Sequence, residues 1–169
     1  GVENPDDWDN FVSLLRKTKR AVKDNLGTQA PIMFASIQWE QDNRTKERRY
    51  FTNLAKLSDV IALSSYPHVS FSLPRLIPLD YYHLDAVTPD KPLVFTELGW
   101  PAWDKIGEIR QRDFIIRLHS LLKGVHAGPI NWITLFDPAE PLYGPPFDSM
   151  GLCREDGTVK PAMKAWRRA

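Results

Sequence analysis

The sequence predicts an α/β fold built on a parallel sheet. Three observations carry that prediction. Helical and strand-like segments alternate along the whole chain, as they do where a parallel sheet is covered by crossover helices. The strand segments are apolar nearly throughout, as strands buried on both faces must be. Polar and aromatic residues gather where those segments end: Gln38-Trp39-Glu40, Ser65-Tyr66, Glu97, and Trp132 with Asp137.

Asp6 to Leu26 reads as an amphipathic helix, with Phe11, Leu14, Leu15, Thr18, Val22 and Leu26 at helical spacing. Asp6 or Asp7 caps its start and Gly27 closes its end. Pro31 opens a strand over Ile32 to Gln38. A polar stretch from Gln41 leads to a helix ending near Leu57. Asp59 to Pro67 is a strand by its apolar run and its length. A proline-punctuated loop and a short helix near Asp80 to Ala86 follow. Pro92 to Trp100 is the next strand. Glu108 to Lys123 is helical, with Phe114, Leu118, Leu121, Leu122 and Val125 on one face. Ile130 to Phe136 is another strand. Asp137 to Gly157 is a loop, and Val159 to Arg167 a closing helix.

Such alternation suits an open doubly wound sheet or a piece of a (β/α)8 barrel. No glycine-rich phosphate turn follows any strand, as an open dinucleotide-binding sheet would show. Barrel enzymes keep their chemistry on the C-terminal rim of the strands. The expected architecture is therefore half of a (β/α)8 barrel, forming a single domain over residues 1–169.

The net charge of +1 gives no electrostatic footprint for nucleic acid. No apolar run is long enough to span a bilayer as a helix. Cys153 is the single cysteine, so no disulfide forms within the chain. No cluster of acids and histidines has metal-ligand spacing, and no cofactor is expected. Ser64-Ser65 lacks the context of a serine nucleophile.

Glu97 stands out: a carboxylate that closes an apolar strand, followed by Gly99-Trp100-Pro101. Taken alone, an acid at a strand end pairs with an arginine more often than it does chemistry. It also suits glycoside hydrolysis, where a carboxylate attacks or stabilises an oxocarbenium-like carbon. The surrounding motif decides between these. "FTELGWPA" resembles the seventh-strand nucleophile signature of clan A retaining glycoside hydrolases. "VIALSSYPH" resembles the clan's sixth strand and "INWITLFDP" its eighth. "GLCREDGTVKPAMKAW" is similar to the ending of several of these families. The pieces occur in the right order and cover most of Ile32 to Trp166, which implies the C-terminal half of a (β/α)8 barrel, from the end of barrel strand 4 to helix 8. The sugar stays open, between endo-β-1,4-galactanase-like and endo-β-1,3-glucanase-like families.

The resemblance implies that Glu97 is the nucleophile, that Tyr66 orients it, and that Trp132 is a platform under the bound sugar. Trp100 and Trp39 are further candidates for the cleft, or packing residues at the barrel end. His68 is a candidate for a sugar hydroxyl, or a loop histidine with a structural hydrogen bond. In the clan the acid/base follows strand 4, usually as Asn-Glu. Glu3 occupies that place, but Val2 stands where the asparagine belongs, and a frayed terminal residue is the alternative. A retaining pair puts the carboxyls of Glu3 and Glu97 about 5–5.5 Å apart. Glu40 is a rival acid, or a rim residue binding a sugar hydroxyl or an arginine, the second being favoured.

The expected activity is retaining hydrolysis of β-glycosidic bonds in a polysaccharide or oligosaccharide. The alternative is a non-catalytic carbohydrate-binding or scaffold protein on the same fold. A half barrel exposes two sheet edges and the inner face of every strand, expected to be apolar. The missing strands are expected N-terminal to Gly1, with a missing half-barrel or self-association as the completing partner. The compartment stays open; the resemblance leans toward a secreted or periplasmic setting.

Overall fold

A computed structural model describes residues 5–40, 49–84, 90–142 and 144–168. Four parallel strands form one sheet in chain order: β1 (Ser36–Gln38), β2 (Ile61–Ser65), β3 (Leu93–Leu98) and β4 (Ala127–Trp132). Among the described residues, α1 (Pro5–Leu26) precedes β1, α2 (Arg49–Leu57) lies between β1 and β2, α3 (Lys105–Leu121) lies between β3 and β4, and α4 (Pro161–Trp166) follows β4; the described part of the β2–β3 connection carries only short 3-10 turns.

The core lies between the sheet and its helices. Leu63, Phe95 and Leu98 from the strands meet Phe51 of α2 and Phe114, Leu118 and Leu121 of α3. The opposite, inner face of the sheet carries Ser36, Gln38, Ser64, Thr96 and Asn131, with Ala62, Val94 and Pro129 among its apolar members. The expectation of an apolar inner face does not hold, because polar positions alternate with the core positions along the strands. The hydroxyls of Ser36 and Thr96 meet at 2.5 Å across it, and Thr96 Oγ1 donates to the Leu63 carbonyl at 3.0 Å.

Several boundaries differ from the sequence reading. β1 is only the last three residues of the expected strand. Residues 33 and 35 bond instead to the turn before β2: Met33 N donates to Asp59 Oδ2 at 2.8 Å and Ala35 N to Ser58 Oγ at 3.2 Å. β4 starts and ends earlier than expected, because Thr134 Oγ1 donates to the Phe136 carbonyl and turns the chain. No helix forms over Asp80 to Leu84, where Tyr81 and Tyr82 are drawn into the core; residues 85 and 86 lie outside the described ones. In α1 the inward face is Val12, Leu15 and Val22, while Phe11 and Leu14 remain exposed.

The closing segment shows why its motif reads as it does. A Cβ on Gly151 would lie 2.3 Å from the Asp137 amide nitrogen and 2.5 Å from the Phe136 carbonyl carbon, so only glycine fits that crossing. Gly157 takes the left-handed conformation, φ 82°, in the turn before Thr158. Lys160 is 1% exposed and its ammonium lies 2.6 Å from Asp137 Oδ2. Pro161 then starts α4, where its missing N–H costs nothing.

Candidate active site

The site is built at the C-terminal ends of β2 and β3. In β3 the register against β2 shifts after Leu63, so that Glu97 comes level with Ser64. Glu97 is exposed on the rim. Its Oε2 accepts two hydrogen bonds: one from Tyr66 Oη at 2.9 Å and one from Ser64 Oγ at 2.7 Å. Among the described residues no donor reaches Oε1. Burial and the carboxylate of Glu97 together raise the Tyr66 phenol far above its ordinary range, so it stays a donor at all working pH.

Ser64, Ser65 and Tyr66 divide their side chains by the strand's period of two. Ser64 and Tyr66 turn to Glu97. Ser65 turns the other way, to Glu40, whose Oε1 accepts its hydroxyl at 2.6 Å. Glu40 also accepts the Tyr66 amide on Oε2 at 2.8 Å and the Tyr81 hydroxyl on Oε1 at 3.0 Å. It is 2% exposed. The reading of Glu40 as a rival acid or as a rim residue for sugar or arginine is therefore corrected: the carboxylate is sealed in and its acceptors are occupied by the protein.

The glycine of the Glu-Leu-Gly-Trp-Pro run has a physical role. A Cβ on Gly99 would meet Tyr66 Cε1 at 2.9 Å and Met150 Sδ at 2.7 Å. Its absence lets the Tyr66 ring lie flat enough to reach Glu97. Phe147 holds the other side of the ring, edge-on at 5.3 Å between centroids.

The tryptophans fall differently from expectation. Trp39 is 2% exposed and packs on Phe51 and Tyr81. Trp100 is 3% exposed and stacks on Phe114 at 5.1 Å. Neither has a face left for a sugar, and their expected place in the cleft is corrected to packing. Trp132 is half-buried. Its Nε1 donates to the Met150 carbonyl at 2.6 Å, and its ring meets Phe114 and Trp166 on the helix side of the sheet. That orientation does not match a platform at the rim. Residues 144–149 sit beside the rim because Ala102 N donates to the Ser149 carbonyl at 3.1 Å. Trp103, next in the chain, is 65% exposed.

His68 lies edge-on between Tyr66 and Trp100. Its buried Nδ1 has no partner among the described residues. Burial holds its imidazole down at about 4, so it is neutral at pH 7. Glu3 lies outside the described residues, and with it the separation from Glu97. Among the described residues no cluster of three potential metal ligands occurs, and no helix is long and apolar enough to cross a membrane. A groove of about 790 Å³ lined by Ile115, Ile116, Pro161 and Ala165 lies between α3 and α4, on the outer layer and away from Glu97.

Comparison with solved structures bears on the fold. GH5_18 from Streptomyces cattleya, in complex with GlcNAc, matches with a TM-score of 0.68 and 18% identity, over 95% of this chain and 42% of that one. The chain has the fold of half a (β/α)8 barrel, the fold of these glycoside hydrolases. A glycoside hydrolase family 17 β-1,3-glucanosyltransferase from Rhizomucor miehei matches at TM-score 0.62 and 15% identity, over 89% of this chain and 56% of that one. A thermostable mutant of a xylanase from Cellvibrio japonicus matches at 0.64 and 14%, over 90% and 54%. The chain thus spans about half the length of these structures. No family model and no curated protein sequence matches it.

Sequence reasoning singled out Glu97 and Tyr66, which the structure brings together. It set Ser64 aside with the serine nucleophiles. The signal was present: in a strand, the residue two before Tyr66 points the same way.

Proposed function

We propose that this chain supplies the nucleophile half of a retaining β-glycosidase acting on a polysaccharide or oligosaccharide. The observation that carries the proposal is the pair of hydroxyls on one oxygen of an exposed rim carboxylate. With Oε2 held by Tyr66 and Ser64, Oε1 is the oxygen presented to the cleft. In the first step Oε1 bonds to the anomeric carbon as the bond from that carbon to the leaving oxygen breaks. A second carboxyl protonates the leaving oxygen. It then takes a proton from the water that releases the sugar. Glu3 is the candidate for that second carboxyl. His68, neutral beside Tyr66, is the candidate contact for a sugar hydroxyl. The two donors oppose the shift of negative charge off Glu97 less than a cation would, and they fix its rotamer.

The site is completed by the other four strands of a barrel, contributed by N-terminal sequence or by a second copy. The open outer edges of β1 and β4 among the described residues support this.

The test replaces the nucleophile and supplies another. Glu97→Gln abolishes hydrolysis of aryl β-glycosides while glycan binding persists. Glu97→Ala with added azide yields an α-glycosyl azide, because azide then attacks from the vacated side. Hydrolysis by Glu97→Gln at the unsubstituted rate refutes the assignment. Unchanged binding with hydrolysis absent from every form supports a carbohydrate-binding protein instead. Size-exclusion chromatography tests the completion: a stable, well-folded monomer of this chain counts against it.

A further inference from the structure

We infer that Glu40 is a positioning residue that acts on Glu97 through Tyr66, an inference that rests on the nucleophile reading above. Glu40 touches no part of the cleft. It holds the main chain of the one residue whose phenol holds Glu97: Tyr66 N donates to Glu40 Oε2, and Tyr66 Oη donates to Glu97 Oε2. Its other oxygen gathers the hydroxyls of Ser65 and Tyr81, and Ser65 in turn meets Tyr82 Oη at 2.8 Å. The carboxylate thereby joins three segments: the end of β1, the end of β2, and the turn at Tyr81-Tyr82.

The need for such an anchor follows from where β2 stops. Tyr66 is the first residue past the strand, with φ −134° and ψ 72°, and no ladder bond to a neighbouring strand is recorded for its amide. A buried amide without a partner is costly, and a strand tail without one is free to move. Glu40 satisfies that amide and fixes the tail. Ser64 lies within β2 and is held by its pairing on both sides, so it is the Tyr66 donor that depends on this anchor. An acid is suited to this place because it meets three donors at once and has only acceptors to offer.

The chemistry predicts which replacements survive. A glutamine can turn its oxygen to the Tyr66 amide and its NH2 to the hydroxyls of Ser65 and Tyr81, which accept as readily as they donate. A leucine offers nothing to any of them.

The experiment uses the full chain with Glu40→Gln, Glu40→Leu, Tyr66→Phe and the Glu40→Leu/Tyr66→Phe pair. The expected result is a fall in kcat of about 10- to 100-fold in Glu40→Leu with KM within about twofold. Glu40→Gln recovers most of the rate. On the Tyr66→Phe background, Glu40→Leu costs less than about threefold more, since its route to Glu97 is already cut. Independent, multiplying losses overturn the inference, as does a loss carried by KM alone.

A second readout needs no turnover. Amide hydrogen exchange at Tyr66 is slow in the parent and in Glu40→Gln, and fast in Glu40→Leu, with Leu63 and Phe95 unchanged. Protection lost across the whole sheet, or kept at Tyr66, overturns the positioning role. If the parent assembled into its completed barrel hydrolyses nothing while Tyr66 exchange follows Glu40 as stated, the glycosidase reading fails and the anchoring stands.

Discussion

Adding one methyl group at Gly99 tests the site more sharply than removing any of its polar groups. In Gly99→Ala the new Cβ stands 2.9 Å from Tyr66 Cε1, 3.1 Å from Tyr66 Cδ1 and 2.7 Å from Met150 Sδ. Carbon atoms rest at about 3.5–4.0 Å. Met150 is fully buried and Phe147 backs the ring, so neither yields freely. The ring must therefore move by roughly 0.6–1 Å to restore ordinary contact. Overpacking of this kind costs about 1–3 kcal/mol of stability. The displacement also lengthens or misaligns the 2.9 Å bond from Tyr66 to Glu97. A hydrogen bond to a charged group contributes about 1.5–3 kcal/mol, and each 1.4 kcal/mol is tenfold in rate, so kcat falls by roughly 10- to 100-fold. The assay pairs thermal melts with hydrolysis of an aryl β-glycoside for Gly99→Ala, Tyr66→Phe and the double variant. Both singles lower kcat to a similar level, and the double is little worse than either. A Gly99→Ala variant with the parent's melting temperature and rate refutes the packing argument. One that is destabilised but fully active refutes the link from Gly99 through Tyr66 to Glu97.

Four further outcomes follow from other contacts. His68 has its folded value near 4, against an ordinary 6.5. The unfolded chain therefore binds the proton first, and stability present above pH 6.5 is lost as pH falls toward 4. Denaturation measured across that window shows the slope, and His68→Phe flattens it. Lys160→Met leaves Asp137 with its buried partner gone and costs about 3–5 kcal/mol in chemical denaturation; a cost below 1 kcal/mol contradicts a buried ion pair. Trp103→Ala, on the exposed loop after β3, changes the melting temperature by no more than about 1 °C. Trp100→Ala removes a core ring and costs about 3–5 kcal/mol. A Trp103→Ala variant with weakened oligosaccharide binding by titration calorimetry marks it as a rim contact.

The differences between sequence and structure follow a pattern. Trp39, Trp100 and Trp103 look alike in the chain: each sits within a few residues of a strand's C-terminal end. Packing separates them, because Phe51 and Phe114 cover the first two and nothing comparable covers the third. The helix expected near Asp80 to Ala86 gives way over residues 80–84 because two tyrosines are worth more inside the Glu40 network than on a helical turn. α1 keeps its length but turns its face, since Val12 and Val22 meet the neighbouring elements and Leu14 does not.

The sequence by itself determined the parallel α/β order, the half-barrel architecture and the rim acid with its tyrosine. The first two follow from local patterns, apolar runs of strand length and helical periodicity; the pairing of Tyr66 with Glu97 is implied by the resemblance of their motifs to clan A glycoside hydrolases. The tertiary structure alone decided that Ser64 shares the Glu97 oxygen, that Glu40 is sealed beneath it, and that Gly99 makes room for the Tyr66 ring. Each of those depends on which side chains meet across 25 to 41 residues of chain. No local pattern encodes such meetings; only the register of packed strands brings the partners within hydrogen-bond reach.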